Sequence, residues 1–368
     1  MLLPDSAGPA SAVSKAYTRW NFQSNHSLGR SAAVRSAGRA ACAVLLAFLA
    51  AAIPILLSGK NPLLAYWSLL NGAFGSLDHV VFALNKSTPY ILIAVGVALC
   101  FRAGIINIGG EGQVAVGALA ASWIALNAGG PSLVVMALAL AGSVAAGAVW
   151  AGVAAAIRLA RGVHEVLSTL LLNFVGVLLV SAALNGPMGE PGAGFPQSPM
   201  FDDRVCLGKL FPGSDLHAGF LIALCAAVAA QILLWRTRFG FHWRLLGGSR
   251  SAAAYAGVSF AAGVTGVLLV SGALAGLAGA VEVLAVHYRL IEGFSQGFGF
   301  TAVAVALLGA ADPLATVPAG LFFGFLQAGS LAMQREVGVP SSLVYFIQGL
   351  SIIFTLCAIG LDLRRRRI

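Results

Sequence analysis

Seven stretches of this chain, 40–57, 132–157, 165–184, 218–235, 260–285, 314–333 and 341–361, run for 18 to 26 residues with no more than one charged side chain each. About 20 apolar residues in a helix are what the hydrocarbon core of a bilayer demands. Three further apolar segments, 88–101, 111–127 and 297–311, are shorter or interrupted by glycine and polar residues. Composition closes off the soluble alternative. Only 10% of the residues are charged and 59% are hydrophobic, whereas a water-wetted surface takes about a quarter charged residues. The 45 glycines fit helices that approach closely in lipid. The sequence therefore predicts an all-α polytopic membrane protein of about ten transmembrane segments, with broken or re-entrant helices and two loosely repeated halves.

The net charge of +9 raises the question of a nucleic-acid partner. The basic residues, however, sit in short clusters between apolar runs, and no Arg/Lys stripe interleaves with aromatics. Such clusters are topology signals, so the partner they imply is the lipid bilayer and not a nucleic-acid polymer. With a cytoplasmic N-terminus and ten crossings, sixteen basic residues fall inside, from Lys15 to the run Arg364–Arg367, and six fall outside. That asymmetry is the one expected of a bacterial inner-membrane protein with both termini cytoplasmic. On this plan 1–39 is a basic leader, disordered until Arg30, 40–363 is the membrane domain with an uncleaved first helix, and 364–368 is a basic tail.

Five cysteines are scattered singly, with no C-x-x-C and no Cys/His cluster, so neither a disulfide framework nor a metal site is expected, and no cofactor. The chain also lacks G-x-x-x-x-G-K-[ST], G-x-S-x-G and H-E-x-x-H. ATP hydrolysis or other enzyme chemistry would have to reside in a partner subunit.

The densest polar feature is Phe101-Arg102-Ala103-Gly104-Ile105-Ile106-Asn107-Ile108-Gly109-Gly110-Glu111-Gly112-Gln113. Irregular backbone at membrane depth survives only under protein cover or beside water, and buried charges need partners. The stretch reads as a helix broken at Asn107 and the glycines, with Glu111 at the start of the next helix, where its charge suits the dipole. It reads equally as a cytoplasmic turn followed by a capped helix. A second interruption, Gly293-Phe294-Ser295-Gln296-Gly297-Phe298-Gly299-Phe300, precedes the short span 301–311. Paired breaks in two halves point to a central binding site. Asn107, Glu111, Gln113, Asn173, Phe294, Gln296 and Phe298 are then the candidates for a substrate path, the aromatics serving either to stack on a ring or simply to pack. The pairs Gly272-xxx-Gly276 and Gly320-xxx-Gly324 mark close helix crossings.

Segment 237–258 is basic and partly apolar. Docking to another protein and binding lipid headgroups explain it equally well. Loop 185–217, rich in Pro and Gly, is long enough to be either functional or a passive connector.

FRAGIINIGGEGQ at 101–113 resembles the signature of ABC importer permeases of the branched-chain amino acid/ribose type, nearest to their nucleoside and simple-sugar branch. HEVLSTLLLNF (164–174), TRFGFHWRLLGGSRSAAAYAGV (237–258), SGALAGLAGAVEVL (271–284), GFTAVAVALLGAADP (299–313) and GVPSSLVYFIQGL (338–350) extend the resemblance over about residues 60 to 360. Ile106, Gly110, His164 and Ser249 stand where the family often has Phe, Ala, Asn and Asn. The resemblance implies a heterodimer with a second, related permease, a cytoplasmic ABC ATPase and a periplasmic or lipid-anchored solute-binding protein. It makes 237–258 the coupling segment, with Thr237, Phe239, Gly240, Arg244, Gly247, Ala253 and Gly257 as contacts to the ATPase. Other expectations remain: a branched-chain amino acid or pentose permease, or an ion-coupled carrier using Glu111, Glu165 and Glu282.

Overall fold

The computed structural model describes residues 30–340 and, beyond them, 342, 343, 345–350, 353, 354 and 357. Residues 1–29, about half of the span expected at 341–361, and the basic tail lie outside the described residues. What is described is helical, without strands.

Among the described residues up to Val337, twelve helices follow one another: α1 (Arg30–Leu57), α2 (Pro62–Phe74), α3 (Leu77–Arg102), α4 (Gly110–Asn127), α5 (Ser132–Arg161), α6 (Glu165–Leu184), α7 (Gly219–Arg236), α8 (Arg238–Gly248), α9 (Arg250–Tyr255), α10 (Phe260–Glu282, running into a π-helical turn Val283–His287), α11 (Phe298–Leu308) and α12 (Thr316–Val337). Their ends follow local chemistry. Asn61 caps α2 ahead of Pro62, Ser76 accepts the His79 N–H at the start of α3, and Gly162 closes α5 in a left-handed turn after Arg158 and Arg161.

Among the described residues six helices, α3, α5, α6, α7, α10 and α12, are long and apolar enough to cross a bilayer. The part of α1 from Leu45, together with α2, forms a pair bent by 119° that passes the same test as one span. This is a multi-pass membrane protein, but a count of about ten is not reached on these criteria. The short span expected at 88–101 is corrected: it is the C-terminal half of the 26-residue α3. Asp78, His79, Asn85 and Lys86 dilute its first half, yet they are compatible with helix, and Pro89 does not end it. Likewise α1 starts at Arg30, so ten residues assigned to the leader are helical. α11 remains short, as expected, at 11 residues, whereas α4 reaches 18 residues, the length of α7, but opens with the polar Glu111 and Gln113 and is not among the six.

Burial separates centre from periphery. The most apolar windows of α3 and α10 are 67% and 72% buried by protein, whereas those of α5, α6 and α7 are 22–28% buried. Leu171, Phe174 and Leu178 on α6, and Leu221, Val228 and Ile232 on α7, point outward. They offer their surface to lipid. Cys42, Cys225 and Cys357 are exposed too, so only Cys100 packs fully into the core. The two expected small-residue pairs sit at crossings: Gly272 and Gly276 of α10 lie against Ser143 and Gly147 of α5, and Gly320 and Gly324 of α12 against Ile91 and Ser87 of α3. A methyl group has no room at any of them.

Candidate functional site

The two breaks foreseen in the sequence meet at the protein's centre. Between α3 and α4 the chain leaves the helix at Ala103, turns at Gly104 with φ +70°, and re-enters at Gly110. Between α10 and α11 it passes through Tyr288, Gly293, Gln296 and Gly297, all with positive φ. Gly110 and Gly299, at the N-terminal ends of α4 and α11, lie backbone to backbone: a Cβ on Gly299 would collide with the Gly110–Glu111 backbone, and one on Gly110 would crowd the Gly299 Cα at 3.1 Å.

Glu111 joins them. Its carboxylate accepts the Ser295 hydroxyl, the Gly297 N–H at 3.0 Å and the Gly299 N–H at 2.7 Å. These amides are the unpaired donors of the first turn of α11, where the helix dipole favours a negative charge. At the other end of α11, Arg102 donates from Nε to the Ala311 carbonyl at 2.7 Å and from Nη2 to the Ala310 carbonyl at 3.2 Å. The half-helix is thus held by an anion at its N-terminus and a cation beyond its C-terminus, the pairing its dipole calls for.

The loop between Arg102 and Glu111 is held by amides. Asn107 donates to Ser271 Oγ (2.9 Å) and to Gln113 Oε1 (3.1 Å), and accepts from the Gly109 N–H (2.8 Å) and Gln113 Nε2 (3.2 Å). Asn173 on α6 donates to the Ile108 carbonyl and accepts the Gly112 N–H, both at 2.8 Å. Asn107, Glu111, Gln113 and Asn173 are all buried, each with its hydrogen bonds made inside the protein. Phe298 packs edge-on against Tyr90 (5.5 Å) and Phe294 edge-on near His287 (6.4 Å). Of the seven path candidates only Gln296 is exposed. Glu165, named with Glu111 and Glu282 as an ion-site expectation, pairs with Arg158.

The coupling candidates occupy the paired short helices α8 and α9. Thr237 caps α8, donating to the Leu233 carbonyl (2.6 Å) and accepting the Gly240 N–H (3.2 Å). Gly240 lies under the Leu233 and Leu234 carbonyls, Ala253 is buried, and Gly257 makes the turn after α9 with φ +75°. Phe239 is 68% exposed. Arg244 is folded back, its guanidinium 4.4 Å from the centre of the Trp235 ring. Burial lowers its pKa from the usual arginine value. Gly247 abuts the Arg102 carbonyl and Gly104, so this segment touches the central break directly. Sequence reading missed Phe241 and Tyr255 (97% exposed), which add aromatic surface to these helices. Exposed aromatics amid basic residues were the available signal.

Loop 185–217 is docked and not free. Ser198, Phe201 and Leu207 donate their N–H groups to the Leu290, Tyr288 and Leu284 carbonyls at 2.8–3.0 Å. It helps to enclose a cavity of about 300 Å³ with Phe82, Asn85, Lys86 and Glu282 in its wall. No single segment marks this cavity, because its lining is drawn from positions as distant as Phe82 and Tyr288.

Comparison with known proteins agrees with this architecture. The family described as branched-chain amino acid transport system / permease component matches residues 79–356. The glucose ABC transporter permease protein TsgB13 of Haloferax volcanii is 36% identical over 84% of this chain and 84% of its own. The guanosine ABC transporter permease protein NupP of Bacillus subtilis is 35% identical over 85% of this chain and 90% of its own. The nucleoside ABC transporter permease protein NupB of Lactococcus lactis is 30% identical over 85% and 88%. With three quarters of its length matched and its paired breaks joined through Glu111, this chain belongs to the branched-chain amino acid transport system permease family.

Proposed function

We propose that this chain is the membrane-spanning permease subunit of an ATP-driven importer in a bacterial inner membrane, moving nucleosides or related simple sugars by alternating access. The observation that carries this reading is the likeness, over some 85% of the chain, to permeases named for glucose, guanosine and nucleosides. Those solutes share a neutral, hydroxyl-rich sugar ring. α4 and α11 supply the remaining crossings, their N-termini meeting as in two related halves. Both termini lie in the cytoplasm with α8 and α9.

A second, related permease completes the pathway as a heterodimer, an external solute-binding protein delivers the solute, and a cytoplasmic ABC ATPase seats on α8 and α9. Phe239, Phe241 and Tyr255 are apolar surface suited to that contact. ATP-driven movement of α8 is passed through Gly247 to the backbone at Arg102 and Gly104, and from the Arg102 guanidinium to the end of α11. The path runs beside the crossing, with Phe294, Gln296 and Phe298 toward the solute while Asn107, Glu111, Gln113 and Asn173 keep its wall in shape. Solute must bind the inward- and outward-open states unequally, since equal affinity shifts nothing.

Uptake of labelled inosine, ribose, glucose and leucine, compared in a deletion strain and its complemented parent, tests the reading. Loss of inosine or sugar uptake, sensitive to vanadate, is expected. Loss of leucine uptake alone, or uptake abolished by ionophores and indifferent to vanadate, overturns it.

A further inference from the structure

The buried polar residues of the crossing, Asn107, Glu111, Gln113 and Asn173, spend their hydrogen bonds on the protein, but the cavity beside it holds a buried carboxylate that does not. The cavity lies between α3, the end of α10 and the 209–215 segment, and Phe82, Asn85, Lys86, Asp215, Glu282 and Tyr288 are in its wall. Its volume of about 300 Å³ is at the lower end of small-molecule sites. Glu282 is 1% exposed, and its Oε2 has no hydrogen-bond partner. Buried carboxylate oxygens in folded proteins are almost always paired, so an orphan on a residue of the cavity wall points to a partner that the wall itself does not supply.

Two features of the backbone single out the same place. α10 widens into a π turn immediately after Glu282, at Val283–His287. π turns of this kind recur at functional sites. The next residue, Tyr288, holds φ +56°, a conformation a bulky side chain avoids unless the surroundings impose it.

Charge narrows the ligand. The wall carries two cations, Lys86 and Lys209, and two anions, Asp215 and Glu282. Lys209 is already paired with Asp215 at 2.6 Å, and the adjacent Arg289 with Glu190 at 3.1 Å. The cavity therefore has no surplus positive charge for a phosphate. A carboxylate with an unpaired oxygen, sharing its wall with the Lys86 ammonium and the Tyr288 phenol, accepts hydrogen bonds from hydroxyl groups while its neighbours return N–H and O–H donors. That is complementary to a neutral polyol ring.

We propose that this cavity is a binding site for the sugar ring of the transported solute, with Glu282 accepting from its hydroxyl groups; this rests on the nucleoside or sugar reading above. From here Phe294, edge-on to His287 of the π turn, leads toward Gln296 and the crossing. The site is where solute waits before the breaks part.

Uptake kinetics of Glu282→Gln, in a strain whose wild-type chain transports inosine or glucose, provide the first test. The KM is expected to rise at least tenfold with the maximal rate within about twofold and the amount of chain in the membrane unchanged. An unchanged KM overturns the proposal, as does an effect confined to sodium or pH dependence, which would make Glu282 an ion site. If the variant fails to reach the membrane, Val286→Cys, in a chain with its native cysteines replaced, reports on the same wall. Its alkylation should slow at least fivefold in saturating inosine or glucose, and a rate indifferent to both overturns the proposal. A wild-type chain that transports neither solute instead defeats the functional reading itself, so the two failures are distinguishable.

Discussion

The central crossing and the cavity beside it are both buried and polar, yet they are built on opposite terms. At the crossing the buried carboxylate and amides are answered: Glu111 by three donors, Asn107 by four hydrogen bonds, Asn173 by two. In the cavity wall Glu282 keeps an unpaired oxygen, and the neighbouring His217 has neither ring nitrogen paired. A satisfied polar network rigidifies, whereas an unsatisfied one is costly unless something else completes it. Asn107, Glu111 and Asn173, the polar residues most conspicuous in the sequence, thus have their hydrogen bonds met inside the protein, and Glu282, hidden in an apolar helix, keeps an oxygen unpaired.

The crossing should break first and hardest. Gly299→Val puts side-chain atoms where the Glu111 backbone lies. Overpacking on this scale costs about 3 kcal/mol or more, so the chain should be lost from the monodisperse fraction after detergent extraction. A well-behaved Gly299→Val protein would mean that the two half-helices do not abut. Glu111→Gln is next. It removes the charge facing the first turn of α11 and leaves one of three donors misdirected, a loss of about 2 kcal/mol. The expected readout is a lower thermal midpoint with little change in KM, the reverse of Glu282→Gln. Equal profiles for the two variants would erase the contrast between scaffold and open site.

How much of this was legible in the sequence follows from how far apart the partners lie. The breaks at 102–113 and 293–300, and the ends of α6 and α7, were visible because glycine, polar and apolar residues alternate within single segments. That the breaks meet was suggested by their matching positions. Who holds whom was not, since the Glu111 partners are 184 to 188 residues away. The first half of α3 was missed for a different reason. Asn85 and Lys86 look like solvent-facing residues until Asn85 is seen donating to the Asp215 carbonyl and accepting the His217 N–H, and Lys86 lining a protein-walled cavity. Arg244 was a natural candidate for docking, as an arginine on a basic segment, but only the fold reveals that Trp235 lies beneath it.

His217 sharpens the comparison through pH. Burial alone pushes its pKa down to about 4 from the usual 6.5, because the buried imidazole resists charging. The unfolded chain therefore binds more protons than the folded one between those values, and stability falls as pH is lowered through that window. Between pH 7 and pH 5 the loss should be about 2 kcal/mol, seen as a falling thermal midpoint. His217→Phe should flatten that slope. A slope that persists in the variant would locate the acid sensitivity elsewhere.

The smallest effect on stability belongs to the surface of α8 and α9. Phe239 and Tyr255 are exposed, so replacing either with alanine should change stability by no more than about 0.5 kcal/mol. If these aromatics seat the ATPase, each variant should retain severalfold less of the co-expressed ATPase on the affinity-tagged permease, because exposed aromatics concentrate interface energy. Arg244→Ala separates packing from docking. Its guanidinium covers Trp235 and its Nε reaches the Gly240 carbonyl at 3.4 Å, so its loss should lower stability by about 1 kcal/mol whether or not the ATPase is present. A variant that keeps its stability but sheds the ATPase would make Arg244 a docking residue after all, and would move the interface from the exposed aromatics to the base of α8.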